Sequence, residues 1–104
     1  MHSLIVAFER QDGMDTDELR EYYHEEHAPI VEQLPNLAGY RVTFAGDPEK
    51  SPFDAVAVLD FESGAEMGEA LDSEAAGEMQ ADGANFLNPE SMTQVLGETE
   101  VLVE

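Results

Sequence analysis

The order of hydrophobic repeats along the chain constrains its fold more than any other feature. Strand-like alternation opens the chain in SLIVAFER, and helical spacing follows after DTDE. Two further strand patterns, LAGYRVTFAG and FDAVAVLDF, flank the turn-rich DPEKSP, and a helical region precedes the final strand pattern MTQVLGETEVLV. This order of strand, helix, strand, strand, helix, strand predicts an α+β fold of ferredoxin-like βαββαβ type. Its four-stranded antiparallel sheet would carry the helices on one face.

Capping signals locate the predicted helices. Asp15 with Glu18 three residues later resembles a capping box, and Ser63 with Glu66 repeats that pattern. The segment DSEAAGEMQADG predicts a further helical piece that ends at Gly83. The whole chain, residues 1–104, is predicted to form a single domain, because a chain of this length holds one hydrophobic core.

The first helix should present one apolar stripe to the core. At 100° per residue, five positions fall within about 80° of one another. They are Leu19, Tyr23, His27, Ile30 and Leu34. Pro29 lacks an N–H group and clashes with the carbonyl of the preceding turn, so the helix should kink or restart near Ala28. His27 then lies in the last regular turn before this change, on the buried stripe.

Charge is the strongest signal in the composition. The chain has 24 Asp and Glu residues against 4 Lys and Arg, a formal net charge of −20. Such a surface disfavours nucleic acid and anionic membranes as partners, because both are bound through lysine and arginine. The acids are interleaved with apolar residues in every segment, which indicates an acidic surface over a folded core. Self-repulsion on this scale is best tolerated in concentrated salt, so we expect a salt-adapted, halophile-like cytoplasmic protein. No signal peptide or membrane-spanning apolar run is expected.

The segment YYHEEHAPIVEQLPNLAGY resembles the EthD-like family of the dimeric α+β barrel superfamily. Members show an aromatic residue, three intervening residues, His, one residue and Pro, and Tyr23, His27 and Pro29 match those places. FDAVAVLDF, ALDSEAAGEM and ADGANFLNP resemble later blocks of the family. The resemblance implies a homodimer whose sheets face each other, with a pocket in each subunit and small-molecule chemistry that needs no metal or organic cofactor. Apolar residues on both strand faces agree with a partner subunit covering the sheet.

His27 is the first candidate for a catalytic residue, because imidazole titrates near neutrality and can act as a general acid or base. The end of a helix favours its cation, while burial on an apolar stripe disfavours it. Two readings stay open: His27 either faces a pocket, or it is a core histidine bonded to a backbone carbonyl near the proline. Only the first allows chemistry.

Further candidates surround this histidine in the sequence. Tyr23, one turn earlier, either bonds a substrate oxygen, orients the imidazole, or is a plain core aromatic. Asp54 matches an acid of the family and either orients His27, anchors an arginine, or is an exposed strand-end acid. Asn85 and Phe86 are candidates for closing the pocket, and Ile30 for contacting a substrate.

The tetrapeptide HEEH also invites a metal hypothesis. His24 and His27 are three residues apart, however, whereas zincin helices use histidines four apart, so we expect no metal and no other cofactor. The function predicted is a cofactor-independent isomerase, cyclase or monooxygenase-type enzyme acting on a small apolar or phenolic molecule. The alternative is a non-catalytic homodimer that binds an apolar metabolite or is purely structural.

Overall fold

Four strands form one antiparallel sheet in the computed structural model, which describes residues 1–104. The strands are β1 His2–Phe8, β2 Gly39–Phe44, β3 Ala55–Phe61 and β4 Thr93–Glu98, arranged in the order β2-β3-β1-β4. β1 lies in the centre, where it pairs with β3 on one side and β4 on the other. β4 is shorter than the sequence predicted, because its last pair joins Glu98 to His2, where β1 begins. The predicted ferredoxin-like fold is confirmed.

The helices fill the two crossovers between strands. They are α1 Thr16–Tyr22, a π turn Tyr23–His27, α2 Ala28–Val31, α3 Gly64–Leu71 and α4 Glu74–Gly83, with short 3-10 turns at Pro48–Lys50 and Pro89–Ser91. Asp15 and Glu18 form the predicted capping box at α1. Ser63 caps α3 by accepting from the backbone N–H of Glu66, without the reciprocal bond of a full box. None of these helices combines the length and the apolar character needed to span a lipid bilayer.

A π turn joins α1 to α2 where the sequence predicted an interruption. Pro29 has no N–H to give to the carbonyl of Glu25, so an unbroken α-helical ladder cannot pass this point. The N–H of Ala28 instead donates to the carbonyl of Tyr23, five residues back. The helix therefore restarts at Ala28, as predicted, but through a wider turn rather than a break.

The wider turn shifts the buried face of α2 by one residue. Leu19, Tyr23 and His27 are buried as predicted, but Val31 follows them into the core with 1% exposure, while Ile30 is only half-buried. In a regular α-helix, side chains spaced four residues apart move steadily around the helix axis and leave the buried face. The π turn holds one more residue than an α turn and so cancels this drift. Assigning Ile30 to the buried stripe was therefore wrong.

The hydrophobic core lies between the helices and one face of the sheet. Alternate residues of β1 and β3, including Leu4, Phe8 and Leu59, point toward the helices and are almost fully buried. Tyr23 and Val31 meet them from the first crossover. Burial of such side chains typically stabilises a fold by about 1.5–3 kcal/mol each. All helices therefore occupy one side of the sheet.

The opposite face of the sheet is apolar in its middle. One row across the strands aligns Arg41, Val58, Ile5 and Val95. Ile5 and Val58 are only half-buried and Val95 is 59% exposed. The helices leave this face free, so its valines and isoleucine remain open to solvent in the single chain.

Substituting the two neighbours Val31 and Ile30 tests the shift caused by the π turn. We expect Val31→Ala to lower the free energy of unfolding by about 2 kcal/mol, because it empties a buried site. Ile30→Ala should cost less than about 1 kcal/mol even though it removes a larger side chain. Chemical denaturation of both variants measures the difference. A larger loss for Ile30→Ala would contradict the assigned register.

Candidate functional site

A cavity of about 460 Å³ lies between the helices and the sheet. Thirteen of its 18 lining residues are hydrophobic, and no lysine or arginine is among them. Leu4, Val6 and Leu59 form part of its floor, and Phe86 and Met79 part of its walls. This volume lies in the usual range for sites that bind small molecules. The cavity can accept a mostly apolar, uncharged molecule.

His27 lies in the wall of this cavity. The residue is 7% exposed and its ring lies 4.5 Å from the ring of Phe86, centroid to centroid. Nδ1 lies 2.8 Å from Oδ2 of Asp82, whereas Nε2 makes no hydrogen bond with the protein. Of the two readings left open by the sequence, the imidazole lines a cavity rather than bonding a backbone carbonyl.

Asp82 at the end of α4 is held by three donors. Oδ1 accepts hydrogen bonds from the hydroxyl of Tyr22 at 2.6 Å and from Nδ2 of Asn85 at 3.0 Å. Oδ2 is left for His27. An ionised carboxylate can only accept, so the hydrogen of the neutral imidazole sits on Nδ1. Nε2, the free nitrogen, then carries a lone pair.

Burial and hydrogen bonding set the charge states of this group. Burial lowers the pKa of His27, and the nearby Asp82 carboxylate offsets that effect only in part. Burial alone would raise the pKa of Asp82, but the hydrogen bonds from Tyr22, Asn85 and His27 together bring it below its ordinary value. Near neutral pH the pair is therefore a neutral imidazole beside a carboxylate, which suits His27 to accept a proton.

Tyr23 lines the same cavity but does not hydrogen-bond to His27. Its hydroxyl pairs with the hydroxyl of Tyr40 on β2, and its ring packs against Phe8 and Phe86. Burial raises the pKa of Tyr23 strongly and that of Tyr40 to about 12. Both hydroxyls are therefore protonated near neutral pH. The mutual bond uses one hydroxyl hydrogen and leaves the other available.

Asp54 lies away from the cavity. Its carboxylate accepts from the guanidinium of Arg10 at 2.5 Å and from the backbone N–H of Arg10 at 2.8 Å. Of the alternatives considered for this acid, it anchors an arginine and does not contact His27. The carboxylate that orients the imidazole comes from Asp82 instead.

Of the three other predicted pocket residues, one lines the cavity and two do not. Phe86 is 1% exposed and lines the cavity beside His27. Asn85 is exposed and contributes by bonding Asp82 rather than by lining the cavity. Ile30 is absent from the lining, where Val31 takes its place because of the π turn.

The two histidines of HEEH point to different surroundings. His24 is exposed, with its ring 5.8 Å from that of Phe44, whereas His27 is buried. No three or more His, Cys, Asp or Glu side chains are grouped so that they could hold a metal ion.

Sequence reasoning missed Asp82 and Tyr22. A signal for Asp82 was present: an acid in the last turn of a helix opposes the helix dipole, so a compensating contact is expected there. Tyr22 gave no such signal, because in a regular helix it lies well away from the face of His27.

The fold and this cavity define a ferredoxin-like α+β protein with an apolar cavity that His27 helps to line. The EthD domain model matches residues 11–90, and the chain belongs to the EthD family. No curated protein matches it by sequence.

Three solved structures illustrate the likeness. An EthD family protein from Bacillus halodurans C-125 is 24% identical, with a TM-score of 0.82 over 96% of this chain and 99% of that one. An EthD-like protein from Ralstonia eutropha JMP134 is 25% identical, with a TM-score of 0.67 over 99% and 93% of the two chains. A dimeric ferredoxin-like protein of unknown function from Thermobifida fusca YX is 16% identical, with a TM-score of 0.74 over 94% and 90%.

Replacing Asp82 tests the partner of the imidazole. We expect Asp82→Asn to lower the pKa of His27 further, because the carboxylate favours the imidazolium and the amide does not. NMR titration of the ring protons measures this shift, with the exposed His24 as reference. Asp54→Asn is the matched control and should leave the pKa of His27 unchanged. A shift in the control alone would contradict the geometry.

Proposed function

We propose that this protein is a cofactor-independent enzyme in which His27 acts as general base and acid on a small neutral molecule. One observation carries the proposal: Asp82 holds Nδ1 of His27, and the free Nε2 belongs to a residue lining an apolar cavity of about 460 Å³. A carboxylate behind an imidazole fixes its tautomer and stabilises the cation formed on proton uptake.

The chemistry follows from the free nitrogen. Nε2 takes a proton from a substrate C–H or O–H bond, and the imidazolium returns it at another atom, which gives net isomerisation or cyclisation without a co-reactant. A monooxygenase-type reaction would also need dioxygen as oxidant. When Tyr40 donates within the hydroxyl pair, Tyr23 keeps its own hydrogen free and would polarise a substrate oxygen with it. Phe86 would pack against the substrate ring.

The substrate class follows from what lines the cavity. Without lysine or arginine there, an anionic group would find no countercharge. The formal net charge of −20 would repel an anion further. We therefore propose an enolisable, phenolic or lactone-type molecule that enters uncharged. Asp54 and Ile30 have no part in this site.

A non-catalytic binding protein is the rival function. It is favoured by the predominance of apolar lining residues, since such a cavity can retain an apolar metabolite without chemistry. A purely structural role gains no support from a cavity of this volume.

Proton exchange in heavy water distinguishes the enzyme from the binding protein. We expect the wild type to catalyse hydrogen–deuterium exchange at the enolisable carbon of a neutral aryl ketone or lactone, followed by NMR. His27→Gln should slow exchange by about 10²–10⁴, the usual contribution of a general base. The rate should fall as the pH drops through the pKa of His27, which lies below its ordinary value of about 6.5.

The control for this experiment is His24→Gln, the same change on the exposed histidine of the same helix. It should leave exchange unaltered. Ligand binding without any exchange in the wild type would reject the enzyme and favour the binding protein. Equal exchange in wild type and His27→Gln would remove His27 from the chemistry.

We also propose a homodimer formed through the free sheet face, in a salt-adapted cytoplasmic protein. The structure from Thermobifida fusca is described as dimeric. In this chain, Ile5, Val58 and Val95 form the apolar row that a second copy would cover. Two subunits with a formal charge of −20 each repel one another, and salt screens that repulsion.

Sedimentation equilibrium at low and high salt tests the dimer. We expect a lower dissociation constant in 2 M than in about 0.1 M KCl, because screening reduces the repulsion between subunits. Val58→Lys should give monomers in both salts, since it places a charge within the apolar row. Gly68→Lys on α3 is the control, because a Cβ atom added there meets no other atom within 4 Å, and it should remain dimeric. A monomeric wild type at every salt concentration would refute the dimer.

A further inference from the structure

Tyr22 and His27 both hydrogen-bond the carboxylate of Asp82, although they are five residues apart along the chain. The hydroxyl of Tyr22 donates to Oδ1 of Asp82 at 2.6 Å, and Nδ1 of His27 lies 2.8 Å from Oδ2. In an α-helix, five residues at 100° each place two side chains about 140° apart around the axis. Two side chains at that angle point to different sides of a regular helix and cannot both reach one carboxylate.

The π turn removes this separation. It spans Tyr23–His27, and its hydrogen bond from the N–H of Ala28 to the carbonyl of Tyr23 joins residues five apart. Residues five apart are therefore brought nearly into line, as residues four apart are in an α-helix. Tyr22 therefore lies beside His27 on the side of the helix that faces Asp82. In a regular α-helix Tyr23 would lie closer in angle to His27, but here its hydroxyl pairs with that of Tyr40.

We propose that Tyr22 is a positioning residue for His27, acting through Asp82. This inference deepens the proposed function and rests on it, because positioning matters only if His27 transfers protons. Tyr22 and Asn85 both bind Oδ1, which fixes the rotation of the carboxylate and presents Oδ2 to the imidazole. The fixed carboxylate keeps the hydrogen on Nδ1 and the lone pair on Nε2.

Few other side chains are placed to fix the orientation of the Asp82 carboxylate. The titratable side chains near His27 include Asp82 from α4, Tyr22 and Tyr23 from its own helix, and Tyr40 from β2 behind Tyr23. The carboxylate of Glu26 also acts on Tyr22. No positively charged side chain lines the cavity. Asn85 donates to Oδ1 from an exposed position at 3.0 Å, a longer bond than that from Tyr22. The hydroxyl of Tyr22 is therefore the principal restraint on the carboxylate.

The adjacent tyrosines provide a matched test. Tyr22→Phe and Tyr23→Phe remove the same hydroxyl from neighbouring positions, and only the first hydroxyl contacts Asp82. With nitrogen-15 in the histidines, two-bond proton–nitrogen NMR spectra above the pKa of His27 report which ring nitrogen carries hydrogen. Only three histidines occur in the chain, and the exposed His24 serves as reference in each spectrum.

We expect Nδ1–H in the wild type and in Tyr23→Phe, and a mixture of the two tautomers in Tyr22→Phe. In the Asp82→Asn background, Tyr22→Phe should cause no further change, because its route to His27 is gone. Where the wild type catalyses exchange, Tyr22→Phe should slow it by about two- to tenfold, because only the fraction of molecules that keeps the lone pair on Nε2 can accept the proton.

An unchanged tautomer in a folded Tyr22→Phe protein, verified by circular dichroism, would overturn the inference. So would an equal tautomer change in Tyr23→Phe. The tautomer is read without substrate, so a failure of the proposed catalysis leaves this result intact. Conversely, exchange that depends on His27 but not on Tyr22 would reject the positioning role alone.

Discussion

The missing N–H of Pro29 is the constraint on which the rest of the site depends. It prevents an unbroken α-helical ladder from passing through the first crossover, and the chain passes this point by a π turn. That turn places Val31 rather than Ile30 in the core and puts Tyr22 and His27 on one carboxylate. A single backbone group thus influences both packing and the polar network.

The polar network is small and lies in an apolar setting. Asp82 is half-buried, and its three hydrogen bonds offset the cost of removing part of its carboxylate from water. Because burial dominates at His27, its imidazole is neutral near neutral pH and its Nε2 can accept a proton. The contrast with the acidic surface is sharp: charge is plentiful outside and nearly absent along the cavity.

The two faces of the sheet differ in what covers them. One face supports the core and the cavity floor through Leu4, Val6 and Leu59. The other carries Ile5, Val58 and Val95 in one row with no helix above it. A central strand such as β1 can be apolar on both faces only if something covers each, which gives the proposed dimer a physical reason.

The sequence by itself determined the order of elements, the one-sided sheet, both predicted N-caps and the burial of Tyr23 and His27, since these follow from local periodicity and capping. That Tyr23, His27 and Phe86 line one cavity was decided by the tertiary structure. The expectations from the sequence that Asp54 orients His27 and that Ile30 lies on the buried stripe did not match the geometry. Only the tertiary structure decided that Asp82, 55 residues along the chain, meets His27. Long-range contacts of this kind leave no local pattern, and the one-residue shift of a π turn alters which side chains share a face without altering the composition of the helix.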